Sequence, residues 1–443
     1  MLLSIFICIG AFVGLLLLLR RDEVSLGLPL AYLFLLLLNH VPGAYAHIVG
    51  GGLLWGSDET ATGIYFTAIG AVCFVAGVWL ARSKLDRMPV HLQPDREQYS
   101  RFCLLGGWVF IYGLSPLSHI PSLGAAIEKG GAVWMLGAML GLRSALAQAD
   151  VKRAAIWISA LMVYPVLMLL LGGFLSYGAT AVIIVGAIVA ISTVSTARVL
   201  VVATIVGFVS LSVFVNYYEH RNEIREAVWG GAPMEQRIDA SLGIFREFQW
   251  LDWSNQDQLI ALHERLNQNY FVGLAAERIE GGQVDYLHGR SVWEGLLSLV
   301  PRAVWPDKPV FGGSPKVVRE MTGLLLNENT SWGVGNVMEF HINFGIVGLV
   351  VGFLVLGWLL GTLDRKAAEA ERTGNLSSVF FFFLPAAALI QPIGSMVEMT
   401  GGAAAALVAA YGWSWAWERW SRRGARSTKR AAGNVRKLPH PRL

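Results

Sequence analysis

Apolar positions along this chain do not recur with the half-turn or two-residue rhythm of soluble helices and strands. They gather into long runs, each close to the roughly 20 residues a helix needs to cross a bilayer. Such runs cover 2–19, 26–45, 60–81, 101–119, 131–148, 154–172, 174–194, 199–217, 340–362, 377–396 and 400–418. The pattern predicts an all-α polytopic membrane protein with about eleven transmembrane helices. Eight lie in an N-terminal membrane region, 1–217, and three in a C-terminal one, 340–418; a long loop, 218–339, separates them and a basic tail, 419–443, follows. The fifth run is the weakest, opened by Gly130 and Gly131 and interrupted by Arg143, so that it either spans or re-enters.

Orientation follows from Lys and Arg, which collect in short cytoplasmic loops. Alternate connections carry Arg20 and Arg21; Arg82, Lys84, Arg87 and Arg96; Lys152 and Arg153; Arg198; and Arg365, Lys366 and Arg372, and the tail is strongly basic. The opposite short loops hold only Lys129. Omitting the fifth span would put the Lys152, Arg153 and Arg198 loops on the wrong side. The expected topology is therefore N-terminus outside and C-terminus in the cytoplasm, with residues 218–339 extracytoplasmic. The first run has no basic residues before it and two after it, the reverse of a cleaved signal peptide, and is expected to remain as the first helix.

Composition sharpens this picture. Hydrophobic residues make up 54% and charged residues 15%, with mean hydropathy +0.52, outside the range of soluble domains. The net charge of +4 and pI near 8.9 trace to the cytoplasmic loops and tail, a topology signal, and no nucleic-acid partner is expected. Cys8, Cys73 and Cys103 lie in or beside apolar runs without a CxxC pair, so neither a disulfide framework nor a zinc site is indicated. No Walker A run and no GxSxG elbow are present.

The loop is where chemistry is expected. It should fold into short helices packed on the membrane region, since a structureless connection of this length is abnormal. Its apolar patch, Val292 to Val300, is too short to span and suits an interfacial helix. It carries eleven Lys and Arg, including Arg221, Arg265, Arg278, Arg290, Arg302 and Lys308, against about seventeen Asp and Glu. A planar guanidinium donates paired hydrogen bonds to phosphate, so an outward-facing arginine-rich loop suits a lipid diphosphate headgroup. Proline on either side stiffens the chain around Arg302 and Trp305, and Trp293 with Trp305 would hold that arginine at headgroup level. Further on, Asn336, Glu339, His341 and Asn343 lie at spacings of two to four where the chain enters the ninth run. Glu339 or His341 could serve as a general base for a sugar hydroxyl, or Glu339 could pair with a loop arginine and His341 be structural.

The order of these features resembles the bacterial O-antigen and exopolysaccharide polymerase family (Wzy type). The resembling positions are Arg265 in ERLNQN; Pro301, Arg302, Trp305, Pro306, Lys308 and Pro309 in PRAVWPDKP; and Glu339, Asn343, Phe344 and Gly345. The likeness spans roughly 265–348, and elsewhere it is one of hydropathy and topology only. Arg278 and Gly289 repeat an arginine-to-glycine spacing described for some polymerases, one that chance supplies in a chain this rich in both, and it carries almost no weight.

The resemblance implies a metal-independent, membrane-embedded glycosyltransferase of the GT-C type in the bacterial inner membrane, needing no cofactor. Its donor would be a growing glycan on undecaprenyl diphosphate and its acceptor a single lipid-linked repeat unit. Arg265, Arg290 and Arg302, with Arg278 and Arg221, would bind the diphosphate. Glu339 or His341 would carry acid-base chemistry, with Trp305, Lys308 and Asn343 in support. Membrane lipids, a chain-length regulator and a flippase are the partners such a polymerase would meet. An O-antigen ligase shares this architecture and donor but has another acceptor. A transporter of lipid-linked glycans is the alternative from a different class.

Overall fold

The computed structural model describes residues 1–22, 24–82, 96–117, 119–120, 123–173, 175–192, 195–246, 248–300, 304–309, 311, 313–325 and 332–435. Regular structure among these residues is helical. The first half comprises α1 (Leu2–Asp22), α2 (Leu28–Gly50), α3 (Ser57–Leu80), α4 (Arg96–Trp108, continued by a π-helical turn, Val109–Gly113), α5 (Leu123–Gly130), α6 (Ala132–Ala147), α7 (Val151–Gly172), α8 (Leu175–Ser192) and α9 (Thr196–Trp229). Five short helices follow: α10 (Met234–Arg246), α11 (Gln256–Leu266), α12 (Gln268–Glu280), α13 (Arg290–Ser298) and α14 (Ser314–Thr322). The chain ends with α15 (Asn336–Arg372), α16 (Leu376–Leu389) and α17 (Met396–Val435).

Among the described residues, seven helices are long and apolar enough to cross a membrane: α1, α2, α3, α5 with α6 as one unit, α7, α9 and α15. Two further apolar helices, Ala179–Ile191 within α8 and Leu376–Leu389, are shorter. The expected fourth run coincides with α4 and its π-helical turn, and the eleventh with the first half of α17. The expected loop is the five short helices, packed on the bundle as anticipated.

Cross-helix contacts sort the connections to two ends of the bundle. At one end, Arg20 donates to Ala190 O and Thr196, Arg82 to Leu18 O, and Arg365 to Ala81 O. There too Tyr99 donates to Leu376 O, and Arg143 pairs with Glu371 at 2.6 Å. Asp364 lies at the same end, fully buried, and accepts from the Leu26 and Leu28 N–H groups at 3.1 and 3.0 Å and from Ser25 at 2.6 Å. It thus supplies from a distant helix the acceptor that the first turn of α2 lacks. The basic loops therefore share one end, and α10–α14 pack at the other, as alternating traversal requires.

The core of the bundle is the α3–α15 pair, brought together by small residues. A Cβ at Gly77 would stand 2.2 Å from Leu354 O, and one at Gly357 2.2 Å from Phe74 O.

α15 is not one helix. Phe344 (φ −145°, ψ 25°) and Gly345 (φ 61°, ψ −145°) break it into 336–343 and 346–372. The two pieces fold back on one another: a Cβ at Gly348 would lie 2.3 Å from Phe340 O, one at Gly352 2.5 Å from the Phe340 ring, and that ring sits edge-on to Phe353. Residues 336–343 are therefore a half-helix that starts deep in the bundle and rises to a turn at 344–345, from which the long helix descends. Tyr32, in the second turn of α2, reaches Asn336 at 2.6 Å and stacks on Phe74, and so marks that depth. Sequence reading had the chain enter its ninth span at residue 340, with Glu339 as the last loop residue. The structure moves the start of that helix to 346 and makes Glu339, His341 and Asn343 part of the preceding half-helix.

Candidate functional site

The half-helix is held by segments from both sides. The Leu287 N–H donates to Ile342 O at 2.8 Å, using a carbonyl that the break at 344–345 releases. Gly289 lies against the Phe344 ring. At the deep end the Gly335 and Asn336 N–H groups donate to Ile393 O and Pro392 O, at 3.1 and 2.9 Å, in the turn between α16 and α17.

Glu339 is fully buried on this half-helix. Its Oε2 accepts the Met396 N–H at 2.7 Å, at the start of α17, where a helix terminus favours negative charge. Its Oε1 is buried without a hydrogen bond of good geometry, and Ser291 is the side-chain hydroxyl that interacts with the carboxylate. Asn343, one turn above, donates to Glu339 O and to Ser291 at 2.7 and 2.8 Å, and its Oδ1 is buried without a partner. His341 stacks on Phe66 of α3, with centroids 4.5 Å apart, and its buried Nδ1 has no partner. Glu339 thus holds a helix end rather than a loop arginine.

The arginines divide. Arg221 and Arg225, on the part of α9 that extends beyond its apolar stretch, converge with Arg265 at the end of α11. Arg221 lies 3.9 Å over the Tyr218 ring, and the Tyr218 hydroxyl donates to Glu264. Arg265 lies 4.9 Å from the centroid of Trp332, and its Nε is buried without a hydrogen bond. Burial holds the Arg265 guanidinium below its usual pKa, the charges of Arg221 and then Arg225 push the same way, and Tyr218 and Glu264 oppose them. Among the described residues, Glu264 is the carboxylate that acts on Arg265, and a tyrosine already engages it. Trp332 connects this cluster to the half-helix, since Glu339 follows it by seven residues.

The other expected residues lie elsewhere. Arg290 is paired with Glu320 through contacts of 2.6 and 2.7 Å. Arg278 sits at the far end of α12, its guanidinium over the backbone of Gly323. Lys308 donates to the carbonyls of Ser298 and Val300, both at 2.9 Å, and so closes the end of α13. Trp305 is partly exposed, and Trp293 projects from α13 while Ser291 and Gly295 face inward, as an interfacial helix requires. Arg302, with Pro301, falls outside the described residues. Among the described residues no group of three or more His, Cys, Asp or Glu could hold a metal ion.

A second buried polar group was not singled out from the sequence. The joint between α11 and α12 is wedged between α2 and α3, where a Cβ at Gly43 would lie 2.3 Å from Asn267 and one at Gly63 2.2 Å from Asn269 O. His263 Nδ1 lies 3.0 Å from His47 Nε2, and Asn267 Nδ2 donates to Thr60 at 2.9 Å and lies 3.1 Å from His263 Nδ1. Asn269 donates to His40 O and Asn267 Oδ1 at 2.7 and 3.0 Å, and its Oδ1 lies 2.7 Å from His40 Nδ1. Thr67 completes the set at 3.0 Å from His40. The usable signal was spacing: His40 and His47 in α2, and Thr60 and Thr67 in α3, are each seven apart and so share a helix face.

Comparison of the chain with protein-family models, curated proteins and solved structures finds no match. The functional argument therefore rests on the residues themselves.

Proposed function

We propose that this chain is a glycosyltransferase of the bacterial inner membrane, an O-antigen-type polymerase of lipid-diphosphate-linked repeat units with a GT-C-like architecture. The observation that carries this reading is the convergence of Arg221, Arg225 and Arg265 at the end of the bundle opposite the basic loops. Such a group concentrates positive charge, and a diphosphate meets it in a form that guanidinium recognises. In the proposed reaction a hydroxyl of the incoming unit attacks the anomeric carbon of the donor glycan. The new C–O bond forms as the bond to the diphosphate breaks, the electron pair departs onto the diphosphate beside the arginines, and the hydroxyl proton passes to the Glu339 carboxylate. His341 and Asn343, on the same half-helix, position the acceptor.

In this reading the bundle makes eleven crossings, with the N-terminus periplasmic, the C-terminus cytoplasmic and α10–α14 in the periplasm. The gathering of basic loops at one end supports that orientation. A flippase would deliver the substrate and a chain-length regulator would act on the product.

One observation favours a second reading. The half-helix 336–343 and the interruption at 390–395 are discontinuous elements of the sort that transporters use to bind substrate at depth. Purified protein in nanodiscs, given a lipid-linked repeat unit with EDTA present, tests both. A product ladder spaced by one unit supports the polymerase. Unchanged substrate refutes it, and movement of that substrate across a vesicle bilayer then supports transport.

A further inference from the structure

The buried polar group at the α11–α12 joint has no role in the reaction above, yet it is built with care. Four helices supply it, glycines let the backbones approach, and its histidines and asparagines are well inside the fold: His263 is 4% exposed, Asn267 2%, Asn269 0%, His40 1% and His47 7%. Arg265 stands between His263 and Asn267 in sequence, so whatever fixes those two fixes the backbone that carries the guanidinium.

We propose that His263, Asn267 and His47 are positioning residues for Arg265, and that they do so only while His263 is neutral. This rests on the reading of Arg265 as a diphosphate ligand.

The argument is one of donors and acceptors. Asn267 Nδ2 can only donate, and it faces His263 Nδ1. His47 Nε2 lies beside the same nitrogen, as donor or acceptor according to its tautomer, so Asn267 is the partner that requires Nδ1 to accept. Adding a proton to Nδ1 turns that acceptor into a donor opposed by the Asn267 Nδ2 donor. Trp55 lies edge-on to the His263 ring at 4.4 Å and closes the remaining side. The charged and titratable groups around His263 are His47 from α2, Glu59 from α3, Tyr270 from α12, and Glu264 and Arg265 on its own helix. Glu59 acts on His47 and Tyr270, and Glu264 is engaged by Tyr218 from α9. Burial, then His47, lowers the His263 pKa from its ordinary 6.5 to about 4. The unfolded or released joint therefore takes up the proton first, and the docked joint is favoured above that range and disfavoured as pH falls through it.

The test compares wild type with His263→Asn and His263→Leu. Asparagine places a non-titrating acceptor where Nδ1 stands, whereas leucine removes it. Binding of undecaprenyl diphosphate to protein in nanodiscs is measured from pH 7.5 to 4.5, and amide exchange of residues 256–280 is followed in the same samples, corrected for intrinsic rates. At pH 7.5 the Asn variant is expected to bind within about twofold of wild type and the Leu variant about tenfold more weakly, one lost hydrogen bond's worth. As pH falls, wild type should lose affinity and exchange protection relative to the Asn variant; titration of the probe itself is common to both and cancels. Parallel pH profiles for wild type and Asn, or a Leu variant that binds and is protected like wild type, overturn the proposal. If wild type and Arg265→Ala bind the probe equally, the diphosphate reading fails instead, and the exchange data still decide whether neutral His263 holds the joint.

Discussion

Gly345 offers a test whose sign, not merely its size, depends on the fold. In a continuous helix from 336 to 372, Gly345→Ala would replace a mid-helix glycine and stabilise the protein by about 0.5–1 kcal/mol. In the structure described here Gly345 has φ 61° and ψ −145°, a combination nearly confined to glycine, and alanine there carries strain of about 1–3 kcal/mol. Space adds little to this: the new Cβ would lie 3.2 Å from the Tyr286 hydroxyl, a contact that a few tenths of an ångström relieves. The assay is unfolding of purified protein in mixed micelles of increasing SDS fraction, followed by tryptophan fluorescence. Gly10→Ala, at a mid-helix glycine of α1 with open space around it, serves as the control that should not destabilise. Gly345→Ala is expected to lower the unfolding midpoint, and adding Tyr286→Phe should recover only a minor part, because the strain is dihedral. A rise in midpoint matching an ordinary helical glycine would refute the hairpin, and with it the placement of Glu339 on a separate half-helix.

Asp364→Ala removes the acceptor of two N–H groups and one hydroxyl at the start of α2; with each orphaned donor worth about 1–3 kcal/mol, the loss should reach about 3 kcal/mol in the same assay, and Asp364→Asn about half of it. Tyr32→Phe leaves Asn336 Oδ1 without its donor and should destabilise by about 1–3 kcal/mol, checked by the same unfolding curve. Arg265→Ala should reduce polymer formation in the nanodisc assay at least a hundredfold with membrane levels unchanged. Arg290→Ala, whose partner is Glu320, should reduce it less than about fivefold, since an exposed ion pair contributes about 1 kcal/mol or less.

The membrane helices were legible because hydropathy reports burial in lipid directly, and the basic loops fixed their alternation. The hairpin in α15 was not. Residues 340–362 read as one apolar run, and glycine within such a run is ordinary; the reversal depends on Phe340 meeting Gly348 and Gly352, a tertiary fit with no periodic signature. Arg221 and Arg265 were both chosen from the sequence, but their convergence with Arg225 needs α9 to continue to Trp229, well beyond its apolar stretch. Arg290 looked equivalent to them until the fold brought Glu320, thirty residues on, to its side. The histidines of the α11–α12 joint were hidden differently: His263, Asn267 and Asn269 lie in sequence that reads as solvated, and only the paired seven-residue spacings in α2 and α3 hinted at a buried face.

Three interruptions, at the α11–α12 joint, at 333–335 and at 390–395, lie together inside the bundle. Backbone there must find partners within the protein, since hydrocarbon supplies none. They find them in one another. The Gly335 and Asn336 N–H groups donate into the 392–393 turn, Met396 N–H donates to the Glu339 carboxylate, and Asn269 donates to a carbonyl of α2. The breaks are thus mutually dependent: straightening the half-helix would orphan the 392–393 carbonyls, and withdrawing Glu339 would uncap α17. This coupling explains how the Glu339 carboxylate is held at depth by the Met396 N–H. It also separates the two halves of the proposed chemistry in space, with the leaving group's charge met by arginines on α9 and α11 and the proton met by a carboxylate on the half-helix, joined by the short run from Trp332 to Glu339.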